Sequence, residues 1–301
     1  MENKSRRNFM KTLAASIGVA GVAGGSNLLS LYNRIEAVKG DTIKVLTSSG
    51  EVVEVDKAFL RPAEWPSLSE NQRRGREGLP GRTWVMVIDL SKCRNARECM
   101  KACQNHHQLH PEQHHINVLQ MQDAEITEPY YMPKTCQHCD NPPCTKVCPV
   151  NATFKREDGI VLIDNERCIG CRFCVAACPY SARVFHWFEP RDAEKYEGVT
   201  YNIEANVPQK KGTISKCIFC ADRLREGQLP SCVTSCPNGV YWFGDRNEDA
   251  VTNGTTKETV RFSKLIKDGG AFTLMKELGT QPRVFYLPNK DRAFPIETEK
   301  V

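Results

Sequence analysis

The residues of this chain that can do chemistry are its fifteen cysteines, most of which recur in one spacing. Three runs have two cysteines close together, a third farther on and a fourth directly before a proline. The runs are Cys136, Cys139, Cys144 and Cys148; Cys168, Cys171, Cys174 and Cys178; and Cys217, Cys220, Cys232 and Cys236. This frame is typical of a chain that wraps a cubane iron–sulfur cluster, with the fourth thiolate bound to a neighbouring cluster. The pattern therefore predicts a protein that carries electrons.

A fourth run lacks one ligand. Cys93, Cys99 and Cys103 fit the same frame if Ala96 takes the second position, and Gln104 replaces the proline. Alanine has no lone pair to offer to iron, so one corner of the corresponding cluster has no protein ligand. The fifteen cysteines are then four sets of four, less one.

Disulfides and structural zinc are two other uses of cysteine. An odd number of cysteines in an exported protein suggests disulfides plus one free thiol, and paired C-x2-C units suggest structural zinc. Neither explains a third cysteine followed by Cys-Pro, so the iron–sulfur interpretation is favoured.

Composition limits the remaining possibilities. At 301 residues, 40% of them hydrophobic, the chain is long enough for one or two small domains. The net charge of +5 is spread along the sequence, so it gives no sign of nucleic-acid binding. We find no Ser-His-Asp set, glycine-rich phosphate loop or paired carboxylates, and we predict no substrate chemistry of the chain's own.

The first residues predict export. Arg6 and Arg7 form a twin-arginine motif before an Ala- and Gly-rich apolar stretch, with small residues at Gly21 and Ala23 for a signal peptidase. The apolar stretch is about half of the roughly 20 residues that a membrane span needs. We expect a signal over 1–25 and a protein that folds around its cofactors before export to the extracytoplasmic side. Whether the signal is cleaved or kept as an anchor stays open.

Periodicity predicts the elements around the cysteines. Residues 42–55 predict a β-hairpin, and 60–82 predict an extended linker. A strand over 84–90 leads into the first run, so strand, cysteine loop and helix form a repeated unit. Further predicted segments are strands at 116–121, 160–163, 184–188, 240–243 and 283–287, a polar connection at 189–215 and a helical stretch from 260 to 278.

Two groups of side chains remain. Five of the seven histidines are His106, His107, His110, His114 and His115. They could form a metal site or replace the missing ligand, but we expect a solvated loop. Four aromatic residues follow cluster loops, and we expect core packing rather than electron relay from them: Tyr180, Trp187, Trp242 and Phe243.

The motifs resemble one family. Residues 136–144, 156–161, 168–174 and 216–220 are similar to the four-cluster, ferredoxin-type subunits of the complex iron–sulfur molybdoenzymes and their relatives. These relatives include subunits of tetrathionate, polysulfide and dimethyl sulfoxide reductases, of formate-dependent nitrite reduction and of the sulfite-reduction-associated membrane complex. The resemblance covers about 82–245, with a weaker echo at 279–287, and leaves the segment before residue 82 unmatched.

The resemblance implies an α+β fold of two nested, duplicated bacterial-type dicluster ferredoxin units, built from short strands and helices. An N-terminal hairpin extension and a C-terminal tail are added to it. The implied domains are a signal over 1–25, a hairpin and linker over 26–81, an iron–sulfur core over 82–245 and a docking segment over 246–301.

The resemblance also implies four ligand sets, because in this family the first run shares ligands with the fourth and the second with the third. Site 1 comprises Cys136, Cys139, Cys144 and Cys178. Site 2 comprises Cys148, Cys168, Cys171 and Cys174. Site 3 comprises Cys103, Cys217, Cys220 and Cys232. Site 4 comprises Cys93, Cys99 and Cys236 alone.

Three [4Fe-4S] clusters are expected at sites 1 to 3. At site 4 we expect a [3Fe-4S] cluster, a cubane without one corner, because three thiolates suffice for three irons. Two alternatives stay open: Asn95, a loop histidine or water completes a [4Fe-4S] cluster, or the site is empty.

The function implied is that of an electron-transfer subunit on the extracytoplasmic side of a membrane-associated oxidoreductase. Its expected partners are a quinone-interacting membrane subunit and either a molybdopterin catalytic subunit or a multihaem cytochrome, with no nucleic acid. The alternative is an independent soluble periplasmic polyferredoxin.

Overall fold

The structure is a computed structural model, and it describes residues 42–46, 51–56, 68–125 and 127–289. The predicted signal over 1–25 lies outside the described residues. The chain divides after residue 67 into two compact units, which are described separately.

The first unit contains a β-hairpin. Strands β1 (Thr42–Leu46) and β2 (Val52–Asp56) pair antiparallel, with Thr42 opposite Asp56. Both strands are rich in β-branched residues, which suit a pleated surface. The predicted hairpin is confirmed, and its turn at 47–50 lies outside the described residues.

The second unit, from residue 68, holds all the cysteines. Its strands are β3 (Trp84–Asp89), β4 (Asn117–Met121), β5 (Tyr130–Lys134), β6 (Thr153–Lys155), β7 (Val161–Ile163), β8 (Val184–Phe185), β9 (Ile214–Ser215), β10 (Tyr241–Asp245), β11 (Ala250–Asn253), β12 (Thr259–Arg261) and β13 (Val284–Leu287). Its helices are α1 (Glu70–Glu77), α2 (Glu98–His106), α3 (Pro143–Lys146), α4 (Phe173–Ala176), α5 (Ala221–Arg225), α6 (Ser231–Ser235) and α7 (Phe262–Asp268).

Helix α1 lies where the sequence predicts an extended linker, so that prediction is wrong for residues 70–77. A capping box starts the helix, because Ser69 accepts a hydrogen bond from the backbone of Gln72 and Gln72 bonds back to Ser69. Gly75 faces Ile203 so closely that a Cβ would overlap it. The polar composition of the segment gives no apolar period that would predict a helix, because the helix packs against the core through Gly75.

A five-stranded sheet joins the two ends of this unit. Its order is β12-β11-β10-β3-β13, and β3 pairs antiparallel with β10 and parallel with β13. The segment after residue 245 therefore continues the same sheet instead of forming a separate tail. The predicted strand at 283–287 is confirmed as β13, and the predicted helix over 260–278 is confined to α7 and one 3₁₀ turn at 276–278.

Three short antiparallel pairs complete the strands: β4 with β5, β6 with β7, and β8 with β9. The predicted strand at 184–188 is only two residues long, Val184–Phe185. The cysteine runs lie between these pairs, and most of their cysteines belong to the core clusters together with apolar residues of the strands.

The predicted polar connection over 189–215 is partly buried. Glu204 accepts hydrogen bonds from Arg156 at 2.6 Å and from Arg225 at 2.6 Å. Arg156 also pairs with Asp158, so one buried network links this connection to the hairpin of β6 and β7. Removing one partner of such a network would leave an uncompensated buried charge.

Within the described part of the chain, we find no helix with the length and apolar character needed to cross a membrane.

Candidate iron–sulfur centres

All fifteen cysteines lie among the described residues, where they carry free thiols, and most of them are buried. No disulfide between them accounts for the odd cysteine in this described part of the chain. An all-sulfur donor set is the one that iron–sulfur clusters use, and it is unsuited to hard cations such as magnesium or calcium.

Site 1 is brought together from two runs. Cys136, Cys139, Cys144 and Cys178 line one cavity, which is also lined by Pro142, Pro143 and Tyr180. Burial raises the pKa of the Cys139 thiol to about 12, and the neighbouring Cys136 adds to this. A thiol of this kind loses its proton when it binds metal, so metal binding there is coupled to proton release.

Site 2 is also built from these two runs, with their roles exchanged. Cys148, the last cysteine of one run, lines a cavity with Cys168, Cys171 and Cys174 of the next run. The backbone N–H of Ala152 donates to the Cys148 sulfur at 3.2 Å. Of the fifteen cysteines only Cys171 is exposed, so this site lies nearest to solvent.

Site 3 is the most deeply buried. Cys103, Cys217, Cys220 and Cys232 all lie in the core. Burial, followed by the neighbouring thiols of Cys220 and Cys217, raises the pKa of Cys232 well above its usual value. Helix α2, which carries Cys103, packs against α6, which carries Cys232.

Site 4 is assembled by the pairing of β3 with β10. Strand β3 runs into Cys93, and β10 follows Cys236, so the antiparallel ladder brings these distant cysteines together. Burial raises the pKa of Cys99 to about 11, and Cys236 and Cys93 lie close enough to add to it. Ala96 is exposed, so the corner without a ligand lies at the surface.

The damaged run keeps the backbone conformation of the intact runs. The residue before the second position has a left-handed φ in all four runs: +58° at Asn95, +42° at His138, +68° at Gly170 and +55° at Phe219. Left-handed residues in tight turns form concave nests of N–H groups that suit anions and iron–sulfur clusters. The backbone N–H of Asn95 lies against Cys93 as that of Phe219 lies against Cys217. The loop around Ala96 is thus shaped like a cluster loop.

The four sites form a row in the order 2, 1, 3, 4. Cys144 lies near enough to Cys174 to act on it electrostatically, which places site 1 beside site 2. Cys136 acts on Cys217 in the same way, which places site 1 beside site 3. Cys99 acts on Cys103, which places site 4 beside site 3.

The two ends of the row reach the surface. At site 2, Cys171 is exposed. At site 4, Cys93 lies in the wall of a pocket of about 290 Å³ that is also lined by Arg94, Glu128 and Tyr130. The cysteines of site 3, in the middle of the row, are all buried.

Two buried cations lie between the sites. The Arg183 guanidinium donates to Thr153 at 3.1 Å and lies beside Cys144 and Cys174. Burial acts to lower the pKa of Arg183, but the neighbouring thiols of Cys144, Cys174 and Cys136 together raise it above its usual value. Lys216 is fully buried and donates to the carbonyl oxygen of Cys217 at 2.8 Å. Buried positive charge of this kind fits sites that hold negatively charged thiolates.

The expectation of a solvated histidine loop is wrong. His107 is 1% exposed and His115 is 3% exposed. His107 Nε2 lies 3.5 Å from the Cys220 sulfur, and His115 Nδ1 lies 3.9 Å from the Cys103 sulfur. The histidines that contact cysteines thus lie at site 3, and not at the incomplete site 4.

Gln104 and Gln113 hold the histidine loop against the core by hydrogen bonds. Gln104 donates to the carbonyl oxygens of Pro111 at 2.9 Å and Gln113 at 3.0 Å. Gln104 stands where the other runs have proline, and α2 continues through it to His106. Leu109 and Ile116, which are both buried, are the apolar signal in the sequence that could have predicted the burial.

Three of the four aromatic residues pack as expected. Tyr180, Trp242 and Phe243 are buried. Trp187 is 58% exposed, so the prediction of core packing is wrong there. Arg172 lies over its ring at 5.1 Å, in the same run as Cys171.

Comparison with known proteins gives the family. The family described as a 4Fe-4S dicluster domain matches residues 127–195 and again 190–246, so the domain is duplicated along the chain. The chain is 35% identical to one subunit of the selenate reductase of Mesobacillus selenatarsenatis, over 95% of this chain and 98% of that one. It belongs to the iron–sulfur subunits of multi-subunit reductases.

Further relatives agree with this placement. One subunit of the tetrathionate reductase of Salmonella typhimurium is 36% identical over 81% of this chain and 84% of its own length. The menaquinone reductase iron–sulfur cluster-binding subunit of Nitratidesulfovibrio vulgaris is 36% identical over 69% of this chain and 89% of its own. As a member of this family the chain is an electron-transfer subunit and not a catalytic one.

Proposed function

We propose that this chain is the extracytoplasmic electron-transfer subunit of a membrane-associated oxidoreductase complex. In this proposal it relays electrons between a quinone-interacting membrane subunit and a molybdopterin catalytic subunit or a multihaem cytochrome. Sites 1 to 3 each hold a [4Fe-4S] cluster and site 4 holds a [3Fe-4S] cluster. Bound clusters supply one-electron steps, while the protein positions them and keeps water away.

The order of the sites carries this proposal. A relay needs closely spaced centres whose two ends can be approached by partners. The row 2, 1, 3, 4 ends at the exposed Cys171 and at the pocket whose wall contains the buried Cys93. The buried middle at site 3 keeps electrons from being lost to solvent oxidants. A carrier with one centre has no need of two open ends.

The surface around site 2 supports docking to another subunit. Ile169, Phe173 and Trp187 are 63%, 60% and 58% exposed, and Ile169 and Phe173 flank Cys171 in the chain. Large exposed apolar side chains grouped in one place mark interaction sites. A redox partner seated there would cover the most accessible cluster ligand.

The shape of the Ala96 loop supports a cluster at site 4. Asn95 has the same left-handed backbone conformation as the intact loops. This conformation costs energy in a residue other than glycine, and such strain is found mainly at functional sites. The Asn95 side chain accepts a hydrogen bond from Arg97 at 2.9 Å, so it is already engaged away from the iron. Three thiolates and an open corner fit a [3Fe-4S] cluster.

Copurification tests the docking. A tagged chain is purified from membranes, and its partners are identified by mass spectrometry. We expect the double variant Phe173→Ser and Trp187→Ser to lose a redox-active partner while its iron content stays unchanged. Leu278→Ser is the matched control, because Leu278 is 51% exposed and lies outside the site 2 loops.

Two results contradict the proposal. Purification of the wild-type chain alone from the soluble fraction, with all clusters present, supports the independent polyferredoxin instead. Equal loss of partners in the double variant and in Leu278→Ser removes site 2 as the docking surface.

A further inference from the structure

His115 lies between a cysteine of site 3 and a buried hydroxyl group. His115 Nδ1 lies 3.9 Å from the Cys103 sulfur, and His115 Nε2 lies 2.7 Å from the Ser215 hydroxyl. All three residues are buried. Both ring nitrogens therefore have one partner each in a water-poor environment.

The chemistry of the two partners fixes the direction of these bonds. A cysteine thiolate bound to iron can only accept a hydrogen bond, so a lone pair on Nδ1 would face another lone pair. A hydroxyl can donate or accept. The consistent arrangement has Ser215 donating to Nε2 and Nδ1–H donating to Cys103.

The surrounding structure holds the ring in this position. Gln104 fixes the loop through the carbonyl oxygen of Gln113, and the Gln113 side chain donates to the carbonyl oxygen of Phe185 at 3.1 Å. Ser215 ends β9, two residues before Cys217. His115 thus bridges the two chain segments that supply the ligands of site 3.

His107 provides a contrast in the same loop. Its Nδ1 donates to the carbonyl oxygen of Ala205 at 2.7 Å, so in the neutral ring Nε2 carries the lone pair that faces Cys220. His107 therefore lacks the donor that His115 presents to sulfur.

We propose that His115, oriented by Ser215, is a positioning residue that donates a hydrogen bond to Cys103 and raises the reduction potential of the site 3 cluster. Hydrogen bonds to cluster sulfurs raise the potential because they stabilise the more negative reduced state. The proposal rests on the cluster assignment in the proposed function. It adds a specific control of one cluster by one residue.

The experiment is an EPR-monitored redox titration of the purified holoprotein. His115→Leu is expected to lower the midpoint potential of one signal and to leave the others unchanged. That signal should be the one altered by Cys232→Ser, which marks site 3 independently. His115→Asn keeps an N–H near the Nδ1 position and should restore most of the shift, and Ser215→Ala should give a smaller shift downward.

A second readout is specific to the hydrogen bond. The reduced site 3 cluster should show an exchangeable deuteron by ENDOR after transfer to deuterated buffer, and His115→Leu should lose it. His186→Leu is the control, because His186 is buried beside the loop and bonds to Gln113 at 2.9 Å.

Unchanged potentials and an unchanged deuteron signal in His115→Leu with full iron content overturn the proposal. If His115→Leu loses the cluster, the variants His115→Asn and Ser215→Ala test the proposal instead. Unshifted potentials of the site 3 cluster in both variants also overturn the proposal. If Cys232→Ser alters no signal, the cluster assignment itself fails, which is a different result.

Discussion

His138 and Phe219 stack ring on ring, with centroids 3.7 Å apart and planes 22° from parallel. Each residue directly precedes the second cysteine of its run, and both have left-handed φ. Both rings are buried, and His138 Nδ1 accepts a hydrogen bond from the Val161 backbone at 3.1 Å. The stack fastens the loop of site 1 to the loop of site 3.

Removing this stack should loosen the holoprotein without removing a ligand. We expect Phe219→Leu to cost about 1 kcal/mol, since it keeps apolar volume but loses the ring contact. For a chain of this size the temperature at which cluster absorbance bleaches should fall by roughly 2–4 °C. Phe272→Leu, at a half-exposed ring stacked on Tyr286, is the control. An equal fall in both variants contradicts a special role for the stack.

Crossed ligand sharing predicts different losses from cysteines of one run. Cys171→Ser and Cys148→Ser should damage the same cluster, because serine oxygen is a poorer ligand for iron than thiolate sulfur. Cys178→Ser, in the same run as Cys171, should damage another cluster. Iron content should fall by at most about four atoms per chain in each case. If the EPR spectra of Cys171→Ser and Cys178→Ser lose the same signal, the assignment of sites 1 and 2 is wrong.

The incomplete site predicts a distinctive oxidised spectrum. A [3Fe-4S] cluster is paramagnetic when oxidised, whereas ordinary [4Fe-4S] clusters are silent, so the anaerobically purified wild type should show one signal. Ala96→Cys should abolish it and add a low-potential cluster, because the new thiolate holds the fourth iron. A silent wild-type spectrum with about sixteen irons per chain rejects the three-iron interpretation.

The buried Arg183 should raise the potentials of the clusters on either side. Its charge lies beside Cys144 of site 1 and Cys174 of site 2. A unit charge at close range contributes about 1 to 4 kcal/mol, so Arg183→Met should lower these potentials by amounts on the order of 50–150 mV. Arg172→Met is the matched control, because Arg172 is exposed and its charge is screened. Equal shifts in both variants argue against a role for burial.

The twin-arginine motif predicts the route of export. Replacing Arg6 and Arg7 with Lys should leave the protein in the cytoplasm with its clusters intact, because the pair is the feature that the transport route reads. Fractionation and immunoblotting measure this, and iron content checks folding. Normal export of the variant contradicts export by the twin-arginine route. Loss of clusters from the cytoplasmic protein shows damage unrelated to transport.

The sequence by itself determined the chemistry, because at sites 1 and 2 three of the four thiolates come from one short run. The spacing from Cys136 to Cys148 or from Cys168 to Cys178 is enough to predict thiolates wrapped around iron, and Ala96 marks the missing ligand directly. The strands β3, β7, β10 and β13 were also predictable, because short apolar runs bounded by turn residues are local signals.

Only the tertiary structure decided how these pieces meet. Helix α1 was missed because its residues are polar and its contact is a glycine against Ile203. The burial of His107 and His115 had only a weak signal in Leu109 and Ile116, because the hydrogen bonds from Gln104 that hold the loop leave no period in the sequence. Left-handed backbone at His138 and Phe219 carries no glycine signal. Site 4 is assembled because β3 pairs with β10 across about half the chain, and such long-range pairing is fixed by packing and not by local sequence.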